Sequence, residues 1–274
     1  MKAGVRMYCD YHVHSDYSND SSYEMREVVK DAIRLGMDEL CFTDHYDMAV
    51  EKEGCPRFVP SNVDLPVYFK NLEALSEEFN HRITIKKGLE FGIQYETREK
   101  FEEIARTYPF DFILLSVHEI DNKEYWNGIF QKGKTESEYY HAYYEAMYKI
   151  IQEFHEYSVL AHMDLIRRYD EQDGYDVMND KDMITKILKF IIADGKGLEV
   201  NMSCIRYELG DLTPSVEILK LYKELGGTIL TIGSDSHRRE HLGGYIQGVK
   251  PQLKKLGFES FCTFENRKPK FHPL

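Results

Sequence analysis

The chain has 274 residues, of which 42% are hydrophobic and 30% charged, with a formal net charge of −12. These values exclude a disordered or collagen-like chain, and the negative charge, with no basic run longer than two, argues against nucleic-acid and anionic-membrane partners. A chain of this length buries about 70–75% of its unfolded surface and needs no disulfide or structural metal to fold, so any metal it holds serves chemistry.

In chain order, a strand over Met7–His12 leads to a helix near Glu24–Leu35 and a strand at Glu39–Thr43. A loop over Asp47–Pro66, with Pro56 and Pro60 inside it, precedes a helix at Val67–Phe79 and a strand at Ile83–Glu90. Then come a helix at Lys100–Thr107, a strand at Phe112–Val117, a helix at Glu136–Glu156 and a strand at Val159–His162. The rest alternates in the same way: helix Lys181–Ala193, strand Gly197–Asn201, helix Ser215–Glu224, strand Thr228–Ile232, helix His241–Leu256 and strand Phe258–Thr263. Such alternation predicts a parallel sheet, open or closed, with helices outside it. Gly36, Gly226 and Gly257 stand where left-handed helix C-caps belong, and Thr213-Pro214 resembles an N-cap followed by a first-turn proline. No repeat and no long linker interrupts the pattern, so 1–274 is expected to be one domain. No apolar stretch approaches the ~18 residues of a membrane span, and Met1–Arg6 lacks the apolar core of a signal peptide. Five cysteines without a CxxC pair fit reduced thiols and a cytoplasmic setting.

Of eleven histidines, six end a predicted strand or follow one closely: His12, His14, His45, His118, His162 and His237. Glu90 ends the third strand, Asp235 follows the seventh, and Asp20 lies shortly after His14. Ligands of parallel α/β folds bind at the carboxyl ends of the strands, where the loops converge. In Asp10-Tyr11-His12-Val13-His14, strand alternation sends both imidazoles to one side. Each histidine alone reads as an ordinary core or turn residue. Together with the acids they make a donor set suited to Zn, Mn, Fe or Co. Glu90 has two carboxylate oxygens and so is able to bridge two cations. The other histidines (His81, His141, His155, His241 and His272) fall at polar helix positions, helix ends or the tail, and read as surface residues.

Arg167, in Asp164-Leu165-Ile166-Arg167-Arg168, and Arg206, after the sixth strand, bring guanidinium groups to the same rim. Arginine matches phosphate oxygens bidentately, which points to a phosphorylated small molecule. Arg168 is adjacent to Arg167 and is expected to point elsewhere, and of Arg238 and Arg239 one is expected to be solvated. Tyr139, Tyr140, Tyr143, Tyr144 and Tyr148 follow helical spacing and read as a packed helix face. Trp126 follows the fourth strand, and the sequence leaves open whether it lines the mouth.

The motifs Asp10-Tyr11-His12-Val13-His14, Thr43-Asp44-His45, Gly88-Leu89-Glu90, Ser116-Val117-His118, Ala161-His162 and Ser234-Asp235-Ser236-His237 resemble, in order, those of the polymerase-and-histidinol-phosphatase (PHP) family. The resemblance implies a single-domain α/β fold, a distorted (β/α)7 TIM-like barrel, with three divalent metal ions at its C-terminal rim. It implies that His12, His14, Glu90 and Asp235 hold one ion, that Glu90, His118 and His162 hold a second, and that Asp20, His45 and His237 hold the third. Family members commonly carry histidine where Asp20 stands, and aspartate is also a competent ligand. Size and arginine placement are most similar to the histidinol-phosphatase branch, which implies hydrolysis of the phosphate monoester L-histidinol phosphate. Asp20, His45 and His237 would form the catalytic group, with Asp20 or His237 protonating the leaving alkoxide. Two other readings are a family phosphoesterase acting on nucleotides or nucleic-acid ends, and a non-catalytic metal-binding barrel.

Overall fold

The computed structural model describes residues 7–50, 63–170 and 174–274. The N-terminal hexapeptide, Cys55, and Pro56 and Pro60 of the long loop lie outside these residues. The first half of the chain forms β1 (Cys9–Val13), α1 (Met25–Arg34), β2 (Glu39–Phe42), β3 (His45–Asp47), α2 (Leu65–Phe79), β4 (Thr84–Gly92), α3 (Arg98–Thr107) and β5 (Phe112–Ser116). Two short strands, β6 (Glu119–Ile120) and β7 (Lys123–Glu124), precede α4 (Glu136–Ile151), β8 (Val159–Leu160), α5 (Lys181–Ala193) and β9 (Gly197–Asn201). The chain ends with α6 (Ser203–Arg206), α7 (Val216–Glu224), β10 (Leu230–Gly233), α8 (Ile246–Lys255), β11 (Ser260–Glu265) and β12 (Lys268–Pro273).

Parallel strands run in the order β1-β2-β4-β5-β8-β9-β10. The ring nearly closes through a parallel bridge between Val13 and Ser236, where the His14 amide donates to the Ser236 carbonyl at 2.8 Å. This is the expected distorted seven-stranded barrel. Strands buried on both faces read as continuous apolar runs, as the fully buried Phe-Ile-Leu-Leu-Ser of β5 does. Outside the barrel, α2 packs Tyr68, Phe69, Leu72, Leu75 and Phe79 inward, each burial worth roughly 1.5–3 kcal/mol. Among the described residues, no helix is long and apolar enough to cross a membrane.

β1 carries the local irregularity that matters most. Its register on β2 steps from Asp10↔Leu40 to Val13↔Phe42, three residues against two, which is a bulge. Tyr11 and His12 therefore both reach the interior. The Tyr11 ring lies 5.0 Å from that of Phe112 in the lower barrel, and the His12 imidazole meets Glu90 and Glu199 above it. β3 continues the β2 position on β4, pairing His45 with Glu90.

Three expectations change. The segment predicted as a last strand, Phe258–Thr263, does not join the barrel but forms β11, paired antiparallel with β12. This hairpin closes the end of the barrel where the strands begin. Phe264 packs on Phe112, and the backbone of Phe264 bonds the Tyr11 hydroxyl from both sides. The last helix begins at Ile246 rather than His241, because Gly243 (φ 68°) and Tyr245 (φ 59°) are left-handed and break the helical path. The N-cap of α7 is Ser215, whose hydroxyl accepts from Ile218 N–H, rather than Thr213. Gly36, Gly226 and Gly257 do follow their helices with positive φ.

Phe264 is 2% exposed in this plug. Phe264→Ala should cost about 3–5 kcal/mol, read as a lower denaturant midpoint, while metal content stays at the parent level because the hairpin lies at the far end from the histidines.

Candidate metal centre

The histidine-bearing strand ends converge on one point, the carboxylate of Glu90, which is fully buried. Its Oε2 lies 3.2 Å from His12 Nε2, 3.4 Å from His14 Nε2 and 3.1 Å from His45 Nδ1. Its Oε1 lies 3.1 Å from His118 Nε2 and 2.8 Å from His162 Nε2, and accepts from the Ser116 hydroxyl at 2.6 Å. The two oxygens thus face different groups of imidazoles. Asp235 Oδ1 stands 3.7 and 3.6 Å from His12 and His14. Asp20 Oδ2 stands 3.1 Å from His237 Nε2 and 3.5 Å from His45 Nε2.

The hydrogen bonds on the outer side of the rings decide what the inner side is. His12 Nδ1 meets the Glu199 carboxylate at 2.6 Å and His118 Nδ1 meets Asp47 at 2.8 Å. His14 Nδ1 lies 3.0 Å from the Ser18 hydroxyl, whose own proton goes to Asp44 at 2.7 Å. His237 Nδ1 donates to the Asp235 carbonyl at 3.1 Å. With these donors on Nδ1, the Nε2 atoms are the ones turned toward one another and toward the carboxylates. His12 and His14 Nε2 are 3.0 Å apart. Nitrogens facing each other at that distance repel unless a proton or a metal cation lies between them, and an imidazole braced on a carboxylate is the usual second partner of a metal ligand. The donor set fits divalent ions. Among the described residues, four trios hold their donor atoms within 4.8 Å of one another: His12–His14–Asp235, His12–Glu90–His162, His45–Glu90–His118 and His14–His45–His237.

Electrostatics follow the same geometry. Burial would raise Glu90, but His12, His118 and His45 hold it well below the usual carboxylate range; His12, Arg168 and His237 do the same for Asp235. Burial, followed by repulsion from His237, His45 and His12, pushes His14 down. Burial alone would lower His118, yet Asp47 and Glu90 carry it up to about 10. His12 and His45 also rise, through Glu199 and Glu90 respectively.

A cavity of about 780 Å³ opens over this cluster, within the usual size for small-molecule sites. Asp47, Glu119, Glu124 and Trp126 border it from the β3 and β5–β7 side, and Arg168, Arg206, Tyr207 and Arg238 from the loops after β8, β9 and β10. Burial, then Asp47 and Glu124, push the Glu119 carboxyl up to about 7.

The structure brings all nine expected ligand residues together, and it places Arg206 on the cavity wall. It does not bring Arg167 there. The Arg167 guanidinium turns into the protein, bonding Asp164 Oδ2 and the Leu212 carbonyl, each at 3.0 Å. Arg168 takes the expected place, bonding Ser203 Oγ at 2.5 Å and Asp235 Oδ2 at 3.2 Å. Both arginines lie in one 3-10 turn, Leu165–Tyr169, whose three-residue period sends neighbours about 120° apart. Arg168 and Arg206 flank the Tyr207 ring at 4.1 and 5.3 Å. His241 also differs from expectation, since it borders the cavity. His81 and His155 stay exposed and His272 pairs with Thr263 at the far hairpin. Sequence reasoning missed Glu199, Asn201, Asp47 and Ser18. For the first two a signal existed: Gly197-Leu198-Glu199-Val200-Asn201 alternates polar and apolar in a strand buried throughout.

The PHP domain family model matches residues 10–203. Histidinol-phosphatase of Lactococcus lactis is 32% identical over 94% of this chain and 95% of its own length. A probable histidinol-phosphatase of Thermotoga maritima is 29% identical over 91% and 93%. A solved structure of the Lactococcus lactis histidinol phosphate phosphatase, complexed with zinc, L-histidinol and phosphate, superposes with a TM-score of 0.82 at 32% identity, covering 96% of this chain and 98% of that one.

Glu90→Gln should lose most bound metal, since a neutral amide cannot hold two cations, whereas His155→Gln should keep it; elemental analysis after metal loading compares them. Retention of full metal by the glutamine variant would remove Glu90 from the centre. A second expectation concerns pH. An imidazole raised on folding contributes stability that is present below its ordinary 6.5 and lost as pH climbs to its folded value. The metal-free melting temperature should therefore fall between pH 6.5 and about 10, with His12 and His45 acting in the same direction. Metal-loaded protein should fall less, because coordination takes neutral imidazoles. A metal-free melting temperature that climbs across that window contradicts the assignment.

Proposed function

The chain belongs to the PHP domain family, and we propose that it is a metal-dependent phosphomonoester hydrolase converting L-histidinol phosphate and water to L-histidinol and phosphate. The observation that carries this reading is the pairing of a split carboxylate, Glu90, facing imidazoles on both oxygens, with guanidinium groups at the mouth of the same cavity. The bound histidinol and phosphate described for the Lactococcus lactis relative supply the substrate.

Three divalent ions, of Zn, Mn, Fe or Co type, are assigned to the resemblance-derived sets: His12, His14, Glu90 and Asp235; Glu90, His118 and His162; Asp20, His45 and His237. Such ions supply charge neutralisation for phosphoryl oxygens and acidify a water at neutral pH. The protein's own groups do the rest. Arg168 and Arg206 hold the phosphoryl oxygens and balance the charge that grows on them during transfer. Water attacks phosphorus in line, the phosphorus–ester oxygen bond breaks, and the departing alkoxide takes a proton. Asp20 and His237 stand 3.1 Å apart at the cavity. Burial would raise the Asp20 carboxyl, but hydrogen bonds from His237 and His45 hold it well below the usual carboxylate range, so the proton to the alkoxide comes through His237, with Asp20 as its partner. The acids Asp47, Glu119 and Glu124 suit a leaving group that carries positive charge. We further infer that 1–274 works as one barrel domain. Cys9, Cys41, Cys204 and Cys262 are buried and unpaired, which supports residence in the reducing cytoplasm.

The test is phosphate release from a panel of phosphomonoesters by metal-loaded protein. L-Histidinol phosphate should be turned over with the highest kcat/KM, and preference for a nucleotide, or binding of metal without turnover, would overturn the assignment. On the preferred substrate, Arg168→Lys and Arg206→Lys should each lower kcat/KM about tenfold or more with metal retained, because a point charge replaces a fork. Arg167→Lys should stay within about twofold of the parent and act on stability instead. Equal small effects at the three positions would make all of them structural.

A further inference from the structure

We propose that His241 is a substrate-contacting residue whose imidazole, bordering the cavity beside Arg206 and Arg238, donates a hydrogen bond to the phosphoryl group of the bound phosphomonoester. The proposal rests on the phosphomonoesterase reading above and adds to it a group outside the metal-ligand set.

The segment that carries His241 is held in place. After His237 the chain makes a single 3-10 turn, Arg239–His241, in which the His241 amide donates to the Arg238 carbonyl at 3.0 Å and the Gly244 amide to the His241 carbonyl at 2.9 Å. Gly243, the glycine before Gly244, anchors the turn to the barrel. Gly243 N–H donates to the buried Asp10 carboxylate at 3.0 Å, and the Tyr8 hydroxyl donates to the Gly243 carbonyl at 3.3 Å. Asp10 is in turn fixed by the Ser234 amide at 2.9 Å, so the turn moves with β10 and the Asp235 loop.

The ring itself is unemployed. Among the described residues neither nitrogen has a hydrogen-bond partner, and Nδ1 is buried. A buried polar atom left unpaired costs about 1–3 kcal/mol, and buried side-chain polar atoms are paired in the large majority of cases. His241 belongs to none of the four convergent donor trios, so metal ligation does not account for it.

Its surroundings define the ligand chemistry. Arg168 is compensated by Asp235 at 3.2 Å. Among the described residues Arg206 is not: its Nη atoms bond the carbonyls of Ser234 and Asp235 at 3.3 and 2.8 Å and leave its charge intact. Arg238 lines the same wall and has no acid within ion-pairing distance among the described residues. A wall with two uncompensated guanidinium groups in a chain of net charge −12 is matched to an anion. Burial, followed by Arg206, holds the His241 imidazole below its ordinary value. The unpaired ring offers an N–H donor to an oxyanion, and disfavouring its charged form limits repulsion of the neighbouring arginines.

Inorganic phosphate is the probe. Its affinity for metal-loaded protein is measured by calorimetry, alongside metal content and kcat and KM for L-histidinol phosphate. His241→Leu should weaken phosphate binding and raise KM about tenfold, the scale of one hydrogen bond to a charged group, with kcat within about twofold and metal content unchanged. His241→Gln, which keeps an N–H donor, should recover most of the loss. Should the leucine variant not fold, His241→Ala serves in its place. Unchanged phosphate affinity, a glutamine variant as weak as the leucine one, or a drop in metal content would each overturn the proposal. A parent that binds phosphate but hydrolyses no phosphomonoester would sink the phosphomonoesterase reading, while the phosphate titration still decides whether His241 contacts the anion.

Discussion

A carboxylate buried at the centre of a barrel is an electrostatic problem that the surrounding chain must solve. Glu90 is fully buried, and an unpaired charge there would cost several kcal/mol even after relaxation. Five imidazoles surround it within 3.4 Å, but neutral imidazoles bring lone pairs as readily as protons. Their outer nitrogens resolve the ambiguity. Glu199 and Asp47 brace His12 and His118, fixing which face of each ring turns inward. The assembly then stays ionised in one of two ways, by keeping protons on raised histidines or by exchanging them for metal cations.

Space for those braces comes from positions where a side chain is missing. A Cβ on Gly92 would sit 1.7 Å from Asp47 Oδ1 and 2.8 Å from His118 Nδ1. A Cβ on Gly233 would sit 2.3 Å from His12 Cβ and 2.5 Å from Glu199 Oε1. Both glycines end inward-facing strand positions, one beside each carboxylate–histidine pair. Below this layer the interior changes character, and Tyr11, Phe112 and Phe264 fill it. The β1 bulge lets consecutive residues serve both layers: Tyr11 goes to the apolar plug and His12 to the polar cluster.

The strand ends were legible because chemistry and periodicity coincided there. His12 and His14 stand two residues apart where β1 ends, and Glu90 closes a predicted strand, so their convergence followed from the barrel rule. Residues off the regular strands were harder. Choosing between Arg167 and Arg168 requires the phase of a 3-10 turn, and Asp164, which captures Arg167, gives no such phase in sequence. His241 was read as a helix start because Gly243 and Gly244 do not by themselves distinguish a broken helix from a tolerated pair. Phe258–Thr263 carries ordinary strand propensity, and propensity does not name a pairing partner. Its edge is satisfied by β12, not by β10.

Asp235 ties the histidine cluster to the arginine-bearing wall of the cavity. Its Oδ1 faces His12, His14 and His237, its Oδ2 accepts from Arg168, and its carbonyl accepts from both Arg206 and His237. This residue has φ 55°, and His162 has φ 24°, a left-handed backbone that costs of order 1–3 kcal/mol in a non-glycine residue. Arg206 holds the peptide on one side of that strained residue, and Arg168 holds its carboxylate on the other. The same guanidinium groups line the cavity where an anion would bind. Arg168 bonds Ser203 and Asp235 through a single nitrogen, Nη2, and a guanidinium carries five N–H donors. An oxyanion at this wall would therefore share one guanidinium with Asp235, so the groups that meet the anion are the groups that hold the loop bearing Asp235 and His237 in place.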